Sequence, residues 1–267
     1  MIDDGLFDRF PKPDVILGQH VMPMSAGIIA SKSGVVTSAA DSLEIRLFGR
    51  GAHGSMPQAS VDPVVMAAAT VLRLQTVVAR EVAPTEAAVL TVGALQAGTK
   101  ENVIPDDAVI KLNVRTFDQG VRKRVLDAIE RIVNAEAEAS GAPKPPEFKT
   151  LDRYDLVTND EQATERVRDA LRAHFGDERV THTGPASASE DFGSFGVEWG
   201  APRCSGSSAG STRTPTRRPS ARAGSASCPR TTTRGSLRCS TPRSRPESRR
   251  WSRAPAPGCR RSGGSLC

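Results

Sequence analysis

Apolar content collapses at about residue 200, and that break limits what this chain can fold into more than any motif does. Residues 201–267 contain no Val, Ile, Phe, Tyr or Met, and their only large hydrophobes are Leu237, Leu266 and Trp251. A segment with so little to bury cannot offset the entropy lost on ordering. The expectation is a disordered Arg/Ser/Pro-rich tail at 201–267 behind a folded body of about 200 residues.

Charge divides at the same point. The tail holds 15 Arg, no Lys and one acidic residue, Glu247, for a net of +14. Removing these from the chain's 36 basic and 30 acidic residues leaves the body 21 basic and 29 acidic, a net of −8. The basic balance therefore belongs to the tail, which takes away the main argument for a nucleic-acid partner of the body. All five cysteines (Cys204, Cys228, Cys239, Cys259, Cys267) also lie in the tail. A body without cysteine has no disulfide framework, which suits the cytoplasm. No apolar run approaches the roughly 20 residues of a membrane helix. The acidic N-terminus lacks the basic start and apolar core of a signal peptide. The expected location is cytoplasmic, with no membrane partner.

The body reads as α/β. Val15–Leu17 is an apolar run ending at Gly18-Gln19-His20, which predicts a buried strand that delivers His20 at its C-terminal end. Residues 42–50 alternate Leu43, Ile45 and Leu47 with polar partners, a half-buried strand. Asp62-Pro63 reads as an N-cap with Pro at the first helical position, opening a helix to about Arg80. Strands follow at 87–98 and 108–117. A second amphipathic helix runs from Gln119 with Val121, Val125, Ile129 and Ile132 on one face, and Gly141 stops it. A strand near 146–151 completes a β-α-β-β-α-β order over 40–152, the ferredoxin-like arrangement. A further helix spans 160–175, between Asp160 and Gly176, and a polar loop follows.

The chain has four histidines. His174 and His182 read as solvated polar residues on a surface helix and a loop. His20, at a strand end, points towards the edge where open α/β sheets bind ligands; a hydrogen-bonded core-edge histidine is the plainer alternative. His53 sits between glycines in a turn that a ligand can approach closely, although a lone loop histidine is commonly just surface.

Four strings change this balance: DVILGQHVMP, FGRGAHGSMPQASVDPV, ENVIPDDAVIKLNVRTFD and ASEDF, in that order. In series they resemble landmarks of the M20 family of metallopeptidases and amidohydrolases, in its aminoacylase and hippurate-hydrolase-like branch, over about residues 10–200. The resemblance implies a phosphorylase/hydrolase-like catalytic domain, here at 1–39 and 153–200. Inserted in it at 40–152 is a ferredoxin-like lid that also forms a homodimer. It implies a divalent metal pair (Zn, Mn or Co) and hydrolysis of an amide in N-acyl amino acids or similar small amides. His20 matches a metal ligand, a task that suits neutral imidazole. His53 matches the lid histidine that reaches across the dimer to the substrate carbonyl. Asn102 and Arg115 match lid residues that hold the substrate carboxylate, although Asn102 also reads as a turn former and Arg115 as an ordinary strand residue. Glu190, with Asp191, matches a loop facing the active site; the same residues also form a common helix-start pattern.

Two departures accompany the resemblance. The family's upstream metal motif, bridging carboxylate and general-base Glu have no counterpart in this sequence, so the chain reads as N-terminally truncated and inactive by itself. Its last metal-binding His is also missing beyond residue 200. Back-translation accounts for this second gap. Read one base earlier, residues 203–216 permit VFWFVGGIDPDTY and residues 226–252 permit ELPxNHxPRFAPVLHPTLETGVEALVA, apolar sequences that resemble the family's C-terminus. The tail thus reads as a frame-shifted translation. The alternatives are a non-catalytic dimerisation module and, less favoured, an RNA-binding protein that acts through its basic tail.

Overall fold

The computed structural model describes residues 1–209, and the expected disordered tail lies outside the described residues from 210 onward. In chain order the elements begin with α1 (Leu6–Arg9), β1 (Ile16–Met22), β2 (Ile29–Ser31), β3 (Gly34–Thr37), β4 (Ala39–Phe48), β5 (Ala52–His53) and α2 (Pro63–Thr76). Then come β6 (Ala88–Ala97), β7 (Val103–Ile104), β8 (Asp107–Thr116), α3 (Gln119–Ala139) and β9 (Glu147–Tyr154). Last are β10 (Val157–Asn159), α4 (Glu161–Phe175), β11 (Val180–His182), α5 (Phe192–Trp199) and β12 (Arg203–Ala209).

β4, β6, β8 and β9 form an antiparallel sheet in the order β6-β8-β4-β9, with α2 and α3 packed on one face. The element order is the one read from periodicity. Along β8 burial alternates strictly, with Ala108, Ile110, Leu112 and Val114 inward. These side chains and Ile45 and Leu47 of β4 meet Met66 and Leu74 of α2 and Val121, Val125, Ile129 and Val133 of α3. Asp62 caps α2 by accepting from Val64 N–H at 2.8 Å, and Asp118 caps α3 by accepting from Val121 N–H at 2.9 Å. α2 ends at Thr76, earlier than its apolar run suggests, and continues as one π-turn over Val77–Glu81.

One buried ion pair ties this unit at its root. Arg122, in the first turn of α3, donates from Nε and Nη2 to the two carboxylate oxygens of Asp41 in β4, each at 2.8 Å. Its Nη1 also meets Asp155, between β9 and β10. One guanidinium therefore binds both the strand by which the chain enters the four-stranded unit and the connection by which it leaves.

The second sheet has the order β1-β12-β2-β11. β1 is an edge strand with Leu17 and Val21 exposed, which corrects the expectation of a buried strand. The expected boundary of the tail also moves. Residues 203–209 form β12, parallel to β1 and antiparallel to β2. Backbone pairing along both edges holds this slot. Asn159 clasps Ser205, accepting from its N–H and donating to its carbonyl, each at 2.8 Å.

Candidate functional site

At the end of β1 a cavity of about 250 Å³ is lined by His20, Met22, Met24, Thr37, Ser189 and Glu190, among others. His20 is exposed, and its Nδ1 lies 3.0 Å from the Val21 carbonyl oxygen. A carbonyl only accepts, so Nδ1 carries the proton and Nε2 keeps its lone pair for a ligand. The His20 and Glu190 proposed from sequence thus share one cavity.

The loop that carries Glu190 is held from below. Ser38, fully buried between β3 and β4, donates its N–H to the carbonyls of Ala186 and Ala188, each at 3.1 Å. Its hydroxyl reaches the Ser187 carbonyl at 3.0 Å and lies 3.1 Å from Ser189 Oγ. Arg115 grips the same loop, donating from Nη1 to the Ser187 carbonyl at 2.6 Å and to Ser189 Oγ at 3.0 Å. Sequence reasoning marked Arg115 but missed Ser38 and Ser189, because a serine in a short loop carries no periodic or motif signal. Asp191 occupies the N-cap position of α5, where the helix-start pattern puts it, but makes no side-chain capping bond. His182 contacts the buried Arg168, and His174 is exposed.

His53 and Asn102 belong to the other end of the four-stranded unit. β5 pairs with β7, setting His53 opposite Val103, and Gly54 N–H donates to the Asn102 carbonyl at 2.7 Å. A Cβ at Gly54 would come within 3.0 Å of that carbonyl oxygen, so glycine lets the turn close. Gly49 N–H and Gly51 N–H both bond to Asp106, at 2.7 and 2.8 Å, fixing this tip to the start of β8. Arg115 lies near the opposite end of β8 (Asp107–Thr116), eight residues on from Asp107, or roughly 26 Å at about 3.3 Å per residue. One chain therefore brings together His20, Glu190 and Arg115, and leaves His53 and Asn102 far from them.

Among the described residues no group of three or more His, Cys, Asp or Glu side chains could hold a metal ion. His20 and Glu190 alone fall short of the three or four protein ligands usual for such an ion. The residues present therefore do not fit a metal pair by themselves.

Residues 37–140 match the family model described as the M20 peptidase dimerisation domain. Over 199 residues the chain is 35% identical to a hippurate hydrolase of Campylobacter jejuni, covering 73% of this chain and 51% of that protein. It is 34% identical over 200 residues to an N-acetyl-L-cysteine deacetylase of Bacillus subtilis, covering 72% and 45% respectively. Among solved structures it resembles a dinuclear metal-binding M20 peptidase from Bacillus subtilis. The TM-score is 0.57 at 26% identity, over 73% of this chain and 48% of that one. The chain spans about half the length of the curated relatives it matches.

Proposed function

We propose that this chain is a member of the M20 peptidase family and forms the dimerisation-domain part of a hydrolase that cleaves the amide bond of N-acyl amino acids or similar small amides. The observation that carries this reading is the cavity at the end of β1, which His20 and Glu190 both line beside the loop gripped by Arg115. Two of the named relatives act on acylated amino acids. Glu190 borders the pocket that would take the substrate. Arg115 uses Nη1 on the loop, and the rest of its planar fork suits a substrate carboxylate.

His53 and Asn102 cannot reach that cavity within one chain, so they serve the site of a second copy. The four-stranded unit is suited to such pairing. Val65 and Leu72 of α2 are 65% and 73% exposed, seven residues apart on one helix face. Val89 and Leu95 are exposed on β6, whose outer edge is unpaired. A long open strand edge beside an apolar helix face is a ready surface for a two-fold partner. His53 would then donate to the carbonyl oxygen as negative charge builds on it. A metal pair of the kind named for the Bacillus subtilis relative would need donors beyond His20 and Glu190.

The test is hydrolysis of N-acetyl and N-benzoyl amino acids with added zinc, manganese or cobalt. It is run on this chain and on the product of its genomic locus with the alternative frame restored after Pro202. Turnover by the restored product that falls on His20→Ala supports the reading, and a restored product inactive on every small amide removes it. A second reading, a dimerisation module without catalysis, draws on the incomplete donor set among the described residues. Stable dimers from a locus that encodes no further metal-binding residues would favour it.

A further inference from the structure

We infer that Ser55 is a positioning residue that holds His53 in the tautomer with its proton on Nε2, so that His53 meets a substrate as a neutral hydrogen-bond donor; this rests on the role of His53 proposed above. The Ser55 backbone N–H donates to His53 Nδ1 at 3.2 Å, and Ser55 Oγ lies 2.7 Å from the same nitrogen. An N–H can only donate, so Nδ1 must present its lone pair. The hydroxyl could take either role, and it then donates as well. A neutral imidazole has one ring proton, and it is left on Nε2. The opposite tautomer would aim an N–H at the Ser55 N–H, so only one assignment satisfies both contacts.

The turn is pinned so that this aim is built in. Met56 N–H donates to the His53 carbonyl at 2.8 Å, while Gly54 N–H is tied to the Asn102 carbonyl at 2.7 Å. His53 is exposed, which leaves Nε2–H free to meet a group from outside the chain. His20 shows the reverse arrangement, with a carbonyl on Nδ1 and hence a bare Nε2. The two histidines are thus set for opposite tasks, His53 to donate and His20 to offer a lone pair. A developing oxyanion is stabilised by a preorganised N–H and repelled by a lone pair, so the tautomer decides whether His53 helps or hinders.

The full chain labelled with [15N]-histidine tests this through long-range proton–nitrogen correlation at a pH where the rings are neutral. The chain's four histidines give four ring patterns, and His53→Gln identifies the one in question. The expected result is a protonated-type Nε2 and an unprotonated-type Nδ1 for His53, with the reverse for His20. Ser55→Ala keeps the backbone donor and loses the hydroxyl, so the two nitrogen shifts of His53 should move towards each other; Ser55→Thr should restore them. Unchanged backbone amide shifts elsewhere would show that the variant is folded. A wild-type His53 protonated on Nδ1, or shifts unmoved in Ser55→Ala, would overturn the inference. If His53→Gln leaves turnover of the restored enzyme unchanged, the proposed catalytic role falls while the tautomer result stands.

Discussion

Arg122→Met should destabilise the four-stranded unit far more than any single change to its solvent-exposed charged residues. Arg122 is 2% exposed and Asp41 4%, and their two parallel bonds of 2.8 Å neutralise each other away from water. Removing the guanidinium leaves a buried carboxylate without a partner, a loss of about 3–5 kcal/mol. Asp155, by contrast, has a side chain 64% exposed. Asp155→Ala should therefore cost about 0–1 kcal/mol, the usual worth of a solvated pair. For a body of this size about 1 kcal/mol moves the melting temperature by about 2–4 °C, so Arg122→Met should lower it by about 6–20 °C. Scanning calorimetry on wild type, both single variants and the pair Asp41→Leu/Arg122→Met gives the comparison. The double variant should recover much of the loss, because an apolar pair of similar volume needs no charge compensation. Equal losses in Arg122→Met and Asp155→Ala, or a double variant no better than Arg122→Met, would refute the reasoning.

Ser38→Ala should leave the loop carbonyls short of a donor, at about 0.5–1.5 kcal/mol per bond lost. Amide exchange should quicken over residues 186–191 and not in the four-stranded unit. Leu72→Asp should turn the proposed dimers into monomers, read by sedimentation, while its exposure keeps the chain's unfolding free energy within about 0.5 kcal/mol of wild type. Cys204 is 3% exposed, and burial pushes its thiol above the usual range. Alkylation followed by mass spectrometry at mildly alkaline pH should find Cys204 unmodified in the native chain and modified after denaturation; fast native labelling would count against the buried strand.

The four-stranded unit was legible because its signals are local and repeat. Strict alternation in β8, the apolar stripe of α3, and the boundary residues Asp62 and Gly141 each act within a few residues. The second sheet and the separate two-stranded β3–β10 sheet were less so. β2, β3, β10 and β11 are three or four residues long, too short to show a period, and they form through partners more than a hundred residues away. The site divides the same way. His20, His53, Asn102, Arg115 and Glu190 stood out through the strings around them. The grip of Ser38 and Arg115 on the 186–190 loop depends on spatial neighbours 72 to 151 residues apart in sequence, and no window on the chain reveals it.

β12 brings these strands of reasoning together. It fills an interior slot of its sheet with Arg203, Cys204, Ser205, Gly206, Ser207, Ser208 and Ala209, residues mostly poor in strand propensity. The mismatch has physical marks. Arg203 Nε is buried without a hydrogen-bond partner, and burial holds its guanidinium below the usual range. Ser31, opposite Gly206 on β2, also has a buried hydroxyl without a partner. Native interiors keep such groups few, because each costs about 1–3 kcal/mol. The neighbouring backbone nevertheless asks for a strand here, through Ile16 N–H to the Pro202 carbonyl and Asp160 N–H to the Arg203 carbonyl, each at 2.9 Å. Read one base earlier, the same codons permit VFWFVGG across this slot, an apolar run of the kind an interior strand carries. On our proposal that the tail is a shifted frame, local sequence and spatial slot would agree in the other frame, and agreement across levels is what marks a sequence that specifies its fold.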